Sequence, residues 1–288
     1  MNKAALLIAA TLFSAGALSA QAAESTNKYG ITMVDIPAGS FLMGSCKVTA
    51  AMQEENKKRA FLGQPALSTD CASPDKDASD NETPQHRVSI KAFQMGRTEV
   101  TLGQFKKFIS DAGRTNLLSS DFMKYNNRGD NAPVVYVSWN DAQAFIDWLN
   151  LVDGSGWRLP SEAEWEYACR ANTGYRFCTS ANDLSGGGWW DGNSGGRQHP
   201  VALKEANAFG LYDMSGNAWE WVQDCWHNSY SGAPTDGSAW TRGCDGDGRV
   251  LRGGYWSDSP WYSRAAYRYN FTPGNRYNYG GFRLARTR

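Results

Sequence analysis

The stretch Arg158-Leu159-Pro160-Ser161-Glu162-Ala163-Glu164-Trp165-Glu166-Tyr167-Ala168 reads as a helix start. Pro160 precedes it, Ser161 is an N-cap residue and Glu164 stands three positions later, so the pair forms a capping box. Trp165 and Ala168 then point inward. Two earlier segments carry similar start signals. Thr101 with Gln104 opens a helix whose Leu102, Phe105, Phe108 and Ile109 share a face and which Gly113 stops. Ser138 with Asp141 in the first turn opens another, with Ala142, Phe145, Ile146 and Leu149 on one face. Further toward the N-terminus, Met33, Val34, Ile36, Phe41 and Met43 alternate around a Pro-Ala-Gly break and predict two short strands. Val88, Ile90, Phe93 and Met95 predict strand again. After Ala171 no long helical period returns; Gly, Trp, Tyr, Asn and Asp follow in short runs. The pattern predicts an α+β single domain over residues 31–288 with sparse regular secondary structure. Residues 46–81, polar and rich in Lys, Asp and Ser, read as a surface insertion, and residues 23–30 as a flexible N-terminus.

Composition bounds the function. The 288 residues hold 29 Lys+Arg and 29 Asp+Glu, a formal net charge of zero, which argues against a nucleic-acid binder held by phosphate neutralisation. The chain is 13% aromatic with 12 Trp, richer than a disordered chain. Three histidines, His86, His199 and His227, stand apart without motif context, so neither a His-rich metal site nor a Ser-His-Asp triad is arguable.

Met1-Asn2-Lys3, an apolar run from Ala4 to about Leu18 and Ala20-Gln21-Ala22 have the anatomy of a cleavable signal peptide over residues 1–22. The apolar run is shorter than a membrane helix needs and no later segment is apolar enough, so membrane insertion is not expected. Export to the periplasm or beyond places Cys46, Cys71, Cys169, Cys178, Cys225 and Cys244 where disulfides persist. Six cysteines allow fifteen connectivities; their order suggests Cys46–Cys71, Cys169–Cys178 and Cys225–Cys244. None lies in a CxxC, which speaks against a zinc or thioredoxin-like site.

Several phrases follow one another in order: Met33-Val34-Asp35-Ile36-Pro37-Ala38-Gly39-Ser40-Phe41-Leu42-Met43-Gly44, Glu82-Thr83-Pro84-Gln85-His86, Thr98-Glu99-Val100-Thr101, Arg158 to Ala168, Asn207-Ala208-Phe209-Gly210-Leu211-Tyr212-Asp213-Met214, Gly216-Asn217-Ala218-Trp219-Glu220-Trp221, Arg252-Gly253-Gly254 and Gly281-Phe282-Arg283. As a set they resemble the formylglycine-generating enzyme family, or sulfatase-modifying factors. The resemblance implies a single-domain fold related to C-type lectins. It also implies an active centre of two cysteines shortly after the Arg-Gly-Gly turn, binding copper(I), as soft thiolates do. This chain departs there. Tyr255 takes the position of a family serine, Asp258 that of the first cysteine, and the second falls near Ser263. Oxygen ligands do not replace two thiolates for Cu(I), so copper-dependent formylglycine generation is not expected. The weaker catalytic candidates are Asp258, Tyr255 and Trp219.

The same resemblance implies a structural calcium site at Asp213, Gly216, Ala218 and Glu220, oxygen donors in an irregular loop that suits Ca²⁺; a turn in which Glu220 pairs with an Arg is the bland alternative. A second family site would involve Asn193 and Ser194, in a shortened region without a clear carboxylate. Between Tyr255 and Tyr279 stand six Tyr and two Trp, interleaved with Ser, Asn and Asp, the composition of a paratope. Trp256, Asp258, Trp261, Tyr262, Arg264, Tyr267, Arg268, Tyr277 and Tyr279 are therefore the expected ligand groove, with Arg264, Arg268 and Arg276 as clamps for acidic groups. For Trp256 and Tyr267 a core role is equally expected. The functional expectation is an exported protein that binds a peptide, glycan or peptide-derived ligand. Two alternatives stand beside it: a divergent oxidoreductase, formylglycine-generating or siderophore-tailoring, and a retroelement-diversified receptor.

Overall fold

The computed structural model describes residues 23–47, 50–64 and 75–288; the expected signal peptide and Cys71 lie outside the described residues. Strands β1 (Glu24–Thr26), β2 (Thr32–Ile36) and β3 (Gly39–Met43) come first, then helix α1 (Ala50–Phe61) and a 3-10 turn at Asp80–Glu82. Strands β4 (His86–Ile90) and β5 (Phe93–Gly96) lead to helices α2 (Leu102–Asp111), α3 (Ser120–Tyr125) and α4 (Trp139–Val152). β6 (Trp157–Arg158), α5 (Glu162–Arg170) and the single turn α6 (Leu184–Gly187) follow. The C-terminal part holds only strands: β7 (Trp219–Cys225), β8 (Arg249–Arg252), β9 (Tyr269–Phe271), β10 (Gly280–Phe282) and β11 (Ala285–Thr287).

All three capping boxes close as the sequence predicts. The side chains of Thr101, Ser138 and Ser161 accept from the backbone N–H of Gln104, Asp141 and Glu164, whose side chains reach back to the cap N–H. The two strand predictions near the N-terminus hold as well, but each pair of strands divides between sheets. β2 and β5 lie in a five-stranded sheet of order β1-β2-β5-β11-β6, whereas β3 and β4 form their own ribbon. A third sheet has the order β10-β7-β8-β9, with β10 parallel to β7.

Two predictions need correction. The expected flexible segment 23–30 contains β1, which pairs antiparallel with β2. Its three residues are exposed and are held by backbone pairing, a Thr26–Thr32 hydroxyl contact and a Glu24–Arg97 ion pair, so no hydrophobic pattern announces it. The expected surface insertion 46–81 contains the helix α1, and its end is packed rather than free: Asp75 and Asp77 engage Arg264 and Arg176, and Asp77 accepts from the Trp261 indole.

Two apolar cores result. Phe105, Phe108 and Phe145 of α2 and α4 meet Phe282 of β10 with ring centroids 5.3–6.3 Å apart. Trp165 and Tyr167 of α5 pack with Val34, Met95, Val222 and Val250 in the second. Burying a large apolar side chain contributes about 1.5–3 kcal/mol, so these clusters dominate the gain on folding. Through the second core runs a set of buried ion pairs. Arg268 is bidentate to Glu162 at 2.6 and 2.9 Å. Arg264 is bidentate to Glu82 at 2.8 and 2.6 Å. Arg252 donates to Glu166, and Arg283 donates to Glu220 at 2.8 Å. All eight side chains are at most 3% exposed.

Candidate functional site

Strand β7 divides one sequence phrase between two environments. Successive side chains of a strand face opposite ways, so Trp219 and Glu220 point apart. The Glu220 carboxylate accepts from the Trp165 indole at 2.6 Å and from Arg283. Trp219 instead lies near the Asp258 carboxylate, whose pKa it helps to lower. Arg252, held in the core, leads into Gly253 and Gly254 at φ +100° and +77°, a left-handed conformation that glycine adopts without strain. A Cβ on Gly254 would stand 2.7 Å from Ser263 Oγ. The turn therefore lets the loop 255–263 leave the strand and fold back onto it.

That loop places Asp258 beside Tyr255. The Tyr255 backbone N–H donates to Asp258 Oδ2 at 3.2 Å, and the Asp258 N–H donates to the Tyr255 carbonyl at 3.0 Å. Asp258 and Tyr255 are thus in direct contact, with Trp219 near Asp258. Burial pushes the Asp258 carboxyl up to about 7, and the neighbouring Asp191 charge adds to the rise. Burial likewise raises Tyr255 and takes Tyr279 up to about 12, with Asp258 contributing to both. An aromatic belt runs outward from this centre: Tyr255 to Tyr279 at 4.7 Å, Tyr279 to Tyr277 at 5.3 Å and Tyr277 to Phe271 at 4.0 Å. Tyr269 closes it, 5.7 Å from Trp219. Trp256 is partly exposed at the edge, edge-on to Tyr255, beside a recess lined by Lys124, Arg128 and Arg197.

Other expected groove residues are placed differently. Arg264 and Arg268, expected as clamps, are 1% exposed and saturated by Glu82 and Glu162, so they hold the fold and do not reach a ligand. Arg276 is bidentate to Asp141 at 2.6 and 2.8 Å. Tyr267 is buried, packed on Trp261 at 4.6 Å and Tyr262 at 5.2 Å. Sequence reasoning missed these pairings because charged residues ordinarily read as solvated. The signal available was on the glutamate side alone: Glu82 and Glu162 lie within the ordered phrases.

The disulfides seen among the described residues are not at this centre. Cys169–Cys178 and Cys225–Cys244 are disulfides, and Cys46 is disulfide-bonded. Cys225 ends β7 six residues beyond Trp219, about 20 Å along the strand. Cys225, His227 and Cys244 lie close together, but the disulfide leaves no thiolate there to bind metal. Ser263, near the position of the family's second cysteine, is fully buried with its hydroxyl unpartnered.

Beneath Trp219 lies a second polar centre. Asp213 is 2% exposed; its Oδ2 accepts from the Ala202 N–H at 2.7 Å while Oδ1 has no partner. Glu99, 1% exposed, accepts from Asn217 through Oε1 and leaves Oε2 without a partner. Burial and the Asp213 charge push Glu99 well above the usual carboxylate range, and burial takes Asp213 up to about 6. Gly216 and Ala218 are buried nearby. Glu220 is occupied by Arg283, the pairing the bland reading of this loop anticipates. Asn193 closes a turn, accepting from the Trp190 N–H and donating to the Gly188 carbonyl, and Ser194 Oγ accepts from the Gly196 N–H.

A family model described as the sulfatase-modifying factor enzyme 1-like domain matches residues 19–288. The chain is 29% identical to the formylglycine-generating enzyme of Bos taurus over 312 aligned positions, covering 88% of this chain and 74% of that one. Among solved structures, PvdO from Pseudomonas aeruginosa superposes with a TM-score of 0.72 at 30% identity, covering 93% of this chain and 99% of that one. Treponema denticola variable protein 1 superposes with a TM-score of 0.66 at 26% identity, covering 92% and 99%. The chain belongs to the sulfatase-modifying factor, or formylglycine-generating enzyme, family.

Proposed function

We propose that the protein is an exported, copper-independent member of this family that binds a peptide, glycan or peptide-derived ligand in the groove around Asp258. The observation that carries the reading is the identity of the polar centre. A carboxylate held by the Tyr255 N–H and lying near Trp219 occupies it, and the disulfides seen among the described residues lie elsewhere. Export is supported by those disulfides, and no helix among the described residues is long and apolar enough to cross a membrane. The test is oxygen uptake and aldehyde formation by the purified protein with a cysteine-containing peptide and Cu(I). No turnover is expected; stoichiometric conversion of cysteine to formylglycine would refute the reading. A second reading, a divergent oxidoreductase, draws on the same residue. A carboxyl poised near 7 beside a tyrosine is suited to proton transfer, and Asp258 would then act as acid or base.

The buried centre at Asp213 fits calcium in part. Glu99, Asp213 and Glu220 against Arg283 leave two excess negative charges when all ionise, and two oxygens there have no partner. A dication would neutralise both defects with hard oxygen donors. Asp213 and Glu99 would hold it, with the Gly216 and Ala218 segment alongside; Glu220 serves Arg283 instead. Its contribution would be structural, tying together loops that lack hydrogen-bond ladders.

A further inference from the structure

We propose that the groove selects the cationic nitrogen of its ligand, an alkylammonium or related protonated group, which pairs with Asp258 against the faces of Trp219, Tyr255 and Tyr279. This rests on the reading that the groove binds a ligand and names the chemical class it takes there.

Four observations support it. Asp258 is partly exposed, so a ligand reaches it from solvent. Its carboxylate accepts from the Tyr255 N–H at 3.2 Å, which leaves acceptor capacity for a ligand donor. No cationic side chain acts on it among the described residues; the charge acting on it is a second carboxylate, Asp191, whose N–H donates to the Asp258 carbonyl at 3.0 Å. Each carboxylate of the buried ion-pair set has its arginine, whereas Asp258, open to solvent on one side, has no salt-bridge partner among the described residues. Finally, the surrounding side chains are aromatic. Trp219 lies 5.9 Å from Tyr267 and 5.7 Å from Tyr269, and Tyr255 lies 4.7 Å from Tyr279. The negative face of an aromatic ring attracts a cation and repels an anion. Tyr255, Tyr267 and Tyr279 are all raised, chiefly by burial with Asp258 adding, so they remain neutral phenols and offer no competing positive or negative charge. A ligand carboxylate would meet two like charges and an aromatic wall; an ammonium meets a charge partner and its cation–π frame together.

The test uses the full chain and three probes of one shape: benzylammonium, benzyl alcohol and benzoate. Each is titrated while the Trp219 indole N–H resonance is followed by NMR, assigned through Trp219→Phe. Benzylammonium is expected to shift that resonance and to bind about tenfold more tightly than benzyl alcohol, with benzoate weakest. The preference should shrink in Asp258→Asn, whose fold is checked by circular dichroism, and should weaken as pH falls below 7. The charge preference of the unaltered protein is decisive even if that variant misfolds. Equal binding of the alcohol and the ammonium, or a preference for benzoate, would overturn cation selection while leaving a ligand groove in place. If none of the three moves the resonance, both the selection and the groove reading fall.

Discussion

At the scale of single residues, burial decides which charges matter. Glu162 is 2% exposed and receives Arg268, Arg252 and the Tyr230 hydroxyl. Glu162→Gln strands the buried Arg268 guanidinium, while Arg252 keeps Glu166, and breaking a buried pair in this way costs about 3–5 kcal/mol. Urea unfolding is expected to show a loss of that size. By contrast, Lys106–Asp130 is half-exposed at 45% and 65% and its removal should cost about 0–1 kcal/mol. Asp258 belongs to this scale too. Its carboxyl, pushed up to about 7 by burial, lies near Trp219, so the Trp219 indole N–H resonance should titrate with an inflection near that pH. Asp258→Asn should remove the inflection; its persistence in the variant would assign the titration to another group.

Elements were legible where their determinants are local. Thr101, Ser138 and Ser161 announce α2, α4 and α5 because a cap and its partner are three residues apart. Ser161→Ala is expected to lower stability by about 0.5–2 kcal/mol in a thermal melt. It also removes a hydrogen bond from Ser161 Oγ to the Gly237 carbonyl at 2.7 Å. β1 was not legible, because exposed residues held by backbone bonds carry no hydrophobic period. Nor was the fate of Glu162 and Glu166, whose partners lie as far as 106 residues away. Asp258, Tyr255 and Trp219 could be named from the phrase order, but their approach to one another depends on the Gly253-Gly254 turn and on the side of β7 that Trp219 occupies. The clamp role expected of Arg264 and Arg268 failed for a physical reason: an arginine beside aromatic residues looks the same in sequence whether it faces solvent or a buried glutamate.

For the whole molecule, buried carboxyls set the pH dependence. Burial raises Asp224, with Glu162 adding, to about 7; it takes Asp213 to about 6 and Glu99 well upward. A carboxyl that binds its proton more tightly when folded contributes stability fully below its unfolded value of about 4 and loses it as pH rises through the folded value. Stability is therefore expected to fall between about pH 4 and 7, against the opposite contribution of Glu162, which the Arg268 and Arg252 charges hold low despite burial. Urea midpoints at pH 5 and 8 check the sign. Calcium would suppress the share from Asp213 and Glu99. Chelation at pH 8 should then lower the Tm of the unaltered protein but not that of Asp213→Asn; identical melting of the chelated and calcium-loaded protein would remove the calcium assignment.

The account turns on a groove whose polar centre is a carboxylate rather than a pair of thiols. Titration of the full, disulfide-intact chain with Cu(I) against a chromophoric chelator tests this most directly. The chelator is expected to keep its copper at every protein concentration. Withdrawal of one equivalent of Cu(I), abolished by replacing two of the cysteines, would contradict it.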